Sequence, residues 1–113
     1  FNAFCASLPA TTFVEQWGGA QVWKVGGKVF ALAWFEMGHE PGITFKVSEI
    51  GWEVLKDAPG CRGAPYFASR GMKWIQSYAR PGLSKAELKG YLKTSHRLVA
   101  EGLPKRVRKE IGV

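Results

Sequence analysis

The stretch VWKVGGKVFA, residues 22–31, decides the fold. Paired glycines followed by a lysine fit two structures, the tip of a phosphate-cradling loop or the turn of a β-hairpin. A phosphate loop of the G-x-x-x-x-G-K-[ST] type needs a glycine five residues ahead of the Gly-Lys pair. It also needs a hydroxyl after the lysine and a helix whose N-terminus faces the anion. Val22 stands five before Gly27, Val29 follows Lys28, and the continuation VFALAWF is β-branched and aromatic strand material. The phosphate loop fails on all three counts. Gly26 and Gly27 instead supply the positive φ of a two-residue hairpin turn, which glycine adopts without a steric cost. Closing that turn is expected to pair Val25 with Lys28 and Trp23 with Phe30, with Lys24 opposite Val29. The tip then carries Lys24 and Lys28.

Outward from the hairpin, 113 residues with 46% hydrophobic and 22% charged composition describe one soluble globular domain, residues 1–113, with nothing of a disordered chain. No apolar run approaches the ~20 residues of a membrane span and no signal peptide is visible, so a cytoplasmic protein without a membrane partner is expected. Cys5 and Cys61 lack metal-ligand spacing. With only His39 and His96 besides, neither a metal nor any other cofactor is expected, and both thiols should be reduced. The net charge of +7 is unevenly placed. Residues 1–59 hold four basic and six acidic side chains, and residues 60–113 hold twelve basic and three acidic. A one-sided excess of this kind suits an anionic partner.

Phe1, Phe4, Cys5 and Leu8 line one face of a short helix that Pro9 ends. Residues 11–19 read as a connector with Trp17 packing back on the sheet, followed by strands 20–25 and 28–36, a loop at 37–42, and a strand at 43–47. Ser48 caps a helix running to about Ala58 with Ile50, Val54 and Leu55 inward and Trp52 nearby. Residues 64–69 and 73–80 form a second hairpin across Arg70, Gly71 and Met72. Ser84 and Glu87 fit the S-x-x-E capping box of the longest helix, whose inward face is Leu88, Tyr91, Leu92, Ser95 and Val99. A basic tail from Pro104 begins a last short helix. The sum is an α+β domain of two layers, an antiparallel sheet of about five strands (two hairpins and a single strand) covered by helices.

Several segments together carry a family pattern: SLP at 7–9, VWKVGGKVFAL at 22–32, GITFKV at 42–47, APY at 64–66, KW at 73–74 and LSKAELKGYLKTSHRLVAEGLPKRVR at 83–108. Over nearly its whole length the chain resembles the MmcQ/YjbR family. Members of that family often carry Ser-Tyr in the last long helix, where this chain has Ser95-His96. The resemblance implies a CyaY-like or secretion-chaperone-like shape and a proposed double-wing DNA-binding motif. It implies no enzyme chemistry.

The residues themselves give the double wing some substance. Hairpin tips bearing Lys24 and Lys28, and Arg70 and Lys73, could lie along phosphates, which position a protein without reading sequence. Lys85, Lys89, Lys93 and Arg97 recur every four residues along one side of the long helix, relieved only by Glu87 and Glu101, and Lys105, Arg106, Arg108 and Lys109 continue the charge. Against this stands the plain reading of turn and helix surfaces as solvated. Trp23, Trp34, Trp52 and Trp74 fit packing periodicity, while Trp17 and Tyr66, in or near loops, are the candidates for base stacking. Arg62 beside Cys61 raises a reactive thiol as a minor reading. No Ser/His/Asp set is recognisable, and Glu49, Glu53 and Asp57 read as the solvated face of a helix, so the chain is expected to be no enzyme. The expectation is a non-catalytic module that binds DNA through phosphates. Its rival is a chaperone-like adaptor for an acidic polypeptide, which an exposed apolar groove would favour.

Overall fold

The structure, a computed structural model, describes residues 1–16, 19–34, 42–64, 67, 71–79 and 82–113. In chain order its elements are α1 (Asn2–Ser7), β1 (Thr11–Gln16), β2 (Ala20–Val25), β3 (Lys28–Trp34), β4 (Gly42–Lys46), α2 (Glu49–Leu55), β5 (Cys61–Gly63), β6 (Trp74–Ser77), α3 (Lys85–Glu101) and α4 (Lys105–Ile111). The α+β expectation holds, with six strands in the order β1-β2-β3-β4-β6-β5, every neighbour antiparallel. The additional strand is β1, read from sequence as connector. It lies at the sheet edge, pairing with β2 from Thr11↔Val25 to Gln16↔Ala20. The second hairpin is also shifted. Among the described residues its strands are Cys61–Gly63 and Trp74–Ser77, paired through Arg62↔Gln76; Ala64 and Phe67 lie in neither strand, and the rest of the expected 64–69 strand, like residue 80, lies outside the described residues.

The VGGK turn forms as its chemistry requires. Gly26 and Gly27 take φ of +57° and +80°, the two left-handed residues of a type I′ turn. Val25 pairs with Lys28 and Lys24 with Val29, but Trp23 pairs with Ala31, not Phe30. The register steps between Trp23 and Lys24, so Phe30 is the extra residue of a β-bulge. The bulge turns the Phe30 ring into the core, where it is fully buried.

One face of the sheet is covered by α1, α2 and α3. There Trp23, Val25, Phe30, Ala31, Phe45, Cys61 and Ile75 meet Cys5 and Leu8 from α1, Leu55 from α2, and Leu92, Val99 and Ala100 from α3. The opposite face holds a smaller cluster of Ala20, Val22 and Leu32, flanked by Val14, Val29, Trp34 and Phe67. The α3 capping box is complete: Glu87 N–H donates to Ser84 Oγ at 3.1 Å, and Ser84 N–H donates to Glu87 Oε1 at 3.0 Å. That backbone donor holds the Glu87 carboxyl below its ordinary range.

The short helix α2 sits differently from its sequence reading. Ser48 does cap it, accepting from Gly51 N–H at 3.1 Å. The helix ends at Leu55, short of the expected Ala58; Leu55 faces the core as expected, with Gly51 four residues before it, while Ile50 and Val54 are 78% and 57% exposed. Gly51 has no room for more: a Cβ there would stand 3.1 Å from that of Val47.

Register fixes which connections share an end of the sheet. Val25↔Lys28, Lys46↔Trp74 and Gly63↔Ile75 all lie toward one end, so the β2–β3 turn and the β5–β6 connection leave the sheet together. Only β4 separates β3 from β6, which places the two connections about 10 Å apart.

Candidate nucleic-acid interface

The β2–β3 tip does not project freely. A Cβ on Gly26 would lie 2.5 Å from Leu103 Cδ1 and 3.3 Å from Ile111 Cδ1, so the turn backbone is seated against the α3–α4 junction and the end of α4. This contact brings Lys24 and Lys28 to the same end of the molecule as the cations of α4. Lys28, Lys105, Arg106 and Lys109 are exposed, and Lys24 and Arg108 are half-buried. Arg108 and Lys109 occupy the last turn of α4, where cations complement the helix dipole. Arg108 Nε is buried without a hydrogen-bond partner among the described residues. Gly26→Ala is expected to cost about 2–3 kcal/mol, about 1–2 from the left-handed φ and about 1 from moving the Leu103 methyl. Thermal melting should then fall by about 8–15 °C.

The second connection contributes Lys73, exposed, with its ammonium 6.0 Å from the centre of the Trp52 ring and its carbonyl accepting from Val47 N–H at 3.1 Å. Lys46, at the end of β4 between the two connections, joins it along an open depression of about 360 Å³ that also includes Ser48, Glu49, Met72 and Trp74. Sequence reasoning missed Lys46, because a lysine alternating within a strand looks like any outward position. Arg70, the other cation proposed for this tip, lies outside the described residues, as do Trp17 and Tyr66, the stacking candidates.

Lys85, Lys89, Lys93 and Arg97 are all exposed on α3 and span about 18 Å. The helix runs from beside Cys61, at the far end of the sheet, to Leu103 beneath the β2–β3 tip. The stripe therefore approaches the other cations only at its upper end. Arg97 is held by Glu101 at 3.0 Å, and Lys89 leans over the Phe4 ring at 5.9 Å. Lys93 and Arg97 border a second depression of about 310 Å³ with Leu8, Pro9 and His96. His96 is otherwise engaged: Nε2 donates to the Pro9 carbonyl at 2.7 Å and the ring stands edge-on to Phe30. The structure thus gathers Lys24, Lys28, Lys46, Lys73 and the α4 cations, and leaves Lys85 and Lys89 remote from them.

The four described tryptophans are structural. Trp23 is buried and its indole N–H donates to Asn2 Oδ1 at 2.9 Å; Trp74 is buried against Phe67, with ring centres 4.9 Å apart. Trp34 and Trp52 are half-buried in the same packing. Cys61 is no activated nucleophile. Burial pushes its thiol above the ordinary value, only partly opposed by a hydrogen bond with Ser77, and nearby Glu87 raises it further. Arg62, its expected activator, instead donates to Gln76 Oε1 at 2.9 Å and stacks on Tyr78. Burial likewise pushes Cys5 up to about 12. Among the described residues no group of three potential metal ligands comes together, and no helix is long and apolar enough to cross a membrane.

These features define an α+β protein with an open antiparallel sheet and helices packed on one face. The chain belongs to the YjbR family, whose sequence profile matches residues 6–98. A solved structure similar to it is that of Deinococcus radiodurans protein DR2400, which contains a DUF419 domain. The two share 21% identity and a TM-score of 0.82, over 99% of this chain and 85% of that one. At that identity the likeness establishes the fold. No protein of curated function matches the chain.

Proposed function

We propose that the protein is a non-catalytic module that binds nucleic acid, DNA in the first instance, through backbone phosphates at the basic end of its sheet. One observation carries this reading: the seating of Gly26 against Leu103 and Ile111, which unites the first hairpin tip with α4. Lys24 and Lys28 then join Lys105, Arg106 and Lys109, with Lys46 one strand and Lys73 two strands away across the sheet. Lys93 and Arg97 extend the positive surface along α3. Contacts of this type position a duplex and carry no base readout, so binding should be independent of sequence.

The test is binding to a random-sequence duplex at about 50 and about 200 mM salt. Five phosphate contacts predict roughly 500-fold weaker binding at the higher concentration. Lys28→Glu combined with Arg106→Glu should lower the salt slope by about 2, one unit for each lost contact. An undetectable complex at the lower salt would sink the proposal.

A specific observation favours the rival reading, an adaptor for an acidic polypeptide. Ile50 and Val54 stand exposed beside a depression of about 210 Å³ between α2 and α3, bounded by Val47, Gly51, Tyr91 and Thr94. Apolar side chains of a bound segment would fit there, and its carboxylates would reach Lys46 and Lys73. Ile50→Asp separates the two readings, since it removes an apolar anchor and should leave duplex binding intact.

A further inference from the structure

The sheet ends on one side at β1, whose six residues pair with β2 and whose opposite backbone edge faces no strand among the described residues. Natural edge strands are normally guarded by lysine, proline, a bulge or an inward charge, because open N–H and C=O groups invite another strand. The β1 sequence TTFVEQ has no lysine and no proline, and its register with β2 is unbroken. Its one charge is Glu15. At its middle stands Phe13, 46% exposed, its ring tilted 55° to that of Trp23 at 5.1 Å. An exposed phenylalanine at the centre of an edge guarded by a single charge, Glu15, is a feature solvent does not explain.

We propose that β1 pairs antiparallel with β1 of a second copy about a two-fold axis through Phe13, joining the two sheets into one. A two-fold axis perpendicular to the sheet keeps side chains of one face together, so each residue must meet a partner an even number of positions away. Centred on Phe13, the register sets Phe13 on Phe13, Thr12 on Val14 and Thr11 on Glu15. No like charges are opposed, and the two aromatic rings close over each other between two Trp23 side chains. Centred on Val14, the same edge would set Phe13 against Glu15, a poorer match. The occupant is therefore a second copy of this chain, because the edge complements itself. The antiparallel arrangement points the two basic ends in opposite directions. Each copy keeps its own anion-binding surface, and the assembly does not depend on the nucleic-acid reading. Since both copies carry +7, added salt should strengthen the dimer while weakening duplex binding.

Sedimentation equilibrium from about 1 µM to about 1 mM, a range of weak association constants, reads the dimer directly. The mass should rise from 12.5 kDa toward twice that value. Phe13→Glu and Phe13→Lys, each verified as folded by circular dichroism, should each weaken association at least about tenfold, because each sets like charges face to face. An equimolar mixture of the two variants should recover the dimer, since glutamate then faces lysine across the axis. A mass of 12.5 kDa at every concentration overturns the proposal and leaves the edge to an extended segment of another protein. A dimer indifferent to both substitutions uses another surface, and overturns it as well. Loss in both variants without recovery in the mixture shows that Phe13 does not face itself, which refutes the register.

Discussion

Gly60→Ala is expected to destabilise the protein by about 3–5 kcal/mol, a large fraction of the stability of a domain this size. Gly60 closes the passage from α2 to β5 with φ of +79°. A Cβ there would lie 2.0 Å from the Ala79 carbonyl oxygen, 2.6 Å from Gly82 N and 2.7 Å from Gly82 Cα. All three are backbone atoms, so no side chain can swing aside. The same backbone is tied down from the other direction, since the Gly60 carbonyl accepts from Tyr78 N–H at 2.9 Å and Ala79 N–H at 3.3 Å. Relief of the clash must break those bonds. The left-handed conformation alone costs alanine about 1–2 kcal/mol, and overpacking adds about 1–3. Gly27→Ala supplies the comparison. It shares a positive φ, +80°, and would meet nothing within 4 Å, so it should show the conformational cost alone. Urea titration of both variants measures the difference. Equal losses would mean that the junction yields easily and that the close approach at Gly60 is not what requires glycine.

Features written in local chemistry were legible in the sequence. The VGGK turn, the Ser48 cap and the Ser84–Glu87 box each depend on residues within four positions of one another, and each formed. Features decided at long range were not. The Trp23–Phe30 pairing failed because the register steps at Trp23/Lys24, where the Phe30 carbonyl also meets a side chain 65 positions away. Ile50 and Val54 look like an inward pair at helical spacing, yet Gly51 and Leu55, one position on and about 100° around the helix, are the pair that faces the core. A glycine registers as nothing in a hydropathy pattern, and here its missing side chain is what admits Val47. β1 was invisible for a related reason: an edge strand with half-exposed faces need not alternate, and Phe13 and Val14 sit side by side.

The candidate site divides along the same line. The excess of lysine and arginine in the second half could be counted, and the exposure of the α3 stripe followed from its period. Which cations act together could not be counted. That Lys28 shares an end of the molecule with α4 and not with Lys85 depends on strand register and on a leucine methyl resting against a glycine. Lys46 enters the site only because β4 ends between the two connections.

Ser95→Ala should cost about 2–4 kcal/mol, although it removes one oxygen atom. Ser95 is fully buried on the inner face of α3. Its hydroxyl accepts from Lys46 N–H at 2.8 Å and donates to the Phe30 carbonyl at 2.5 Å. The last regular pair of the β3–β4 ladder is Ala31↔Phe45, so Phe30 and Lys46 are the next residues along, parted by the bulge. The serine hydroxyl stands between them and completes the ladder from outside the sheet. Alanine would leave a buried donor and a buried acceptor unsatisfied, each costing about 1–3 kcal/mol. Equilibrium unfolding in urea should show a midpoint lower by about 2 M with an unchanged slope. A loss under about 1 kcal/mol would mean that β3 and β4 close over the gap and bond directly, making the bulge a consequence of the serine rather than of the sheet. His96 makes the complementary anchor one residue later, reaching the Pro9 carbonyl where the chain enters β1. Adjacent polar residues on α3 thus fasten both the middle of the sheet and its edge. That explains why the inner face of this helix carries a serine and a histidine where hydrophobic residues alone would have packed.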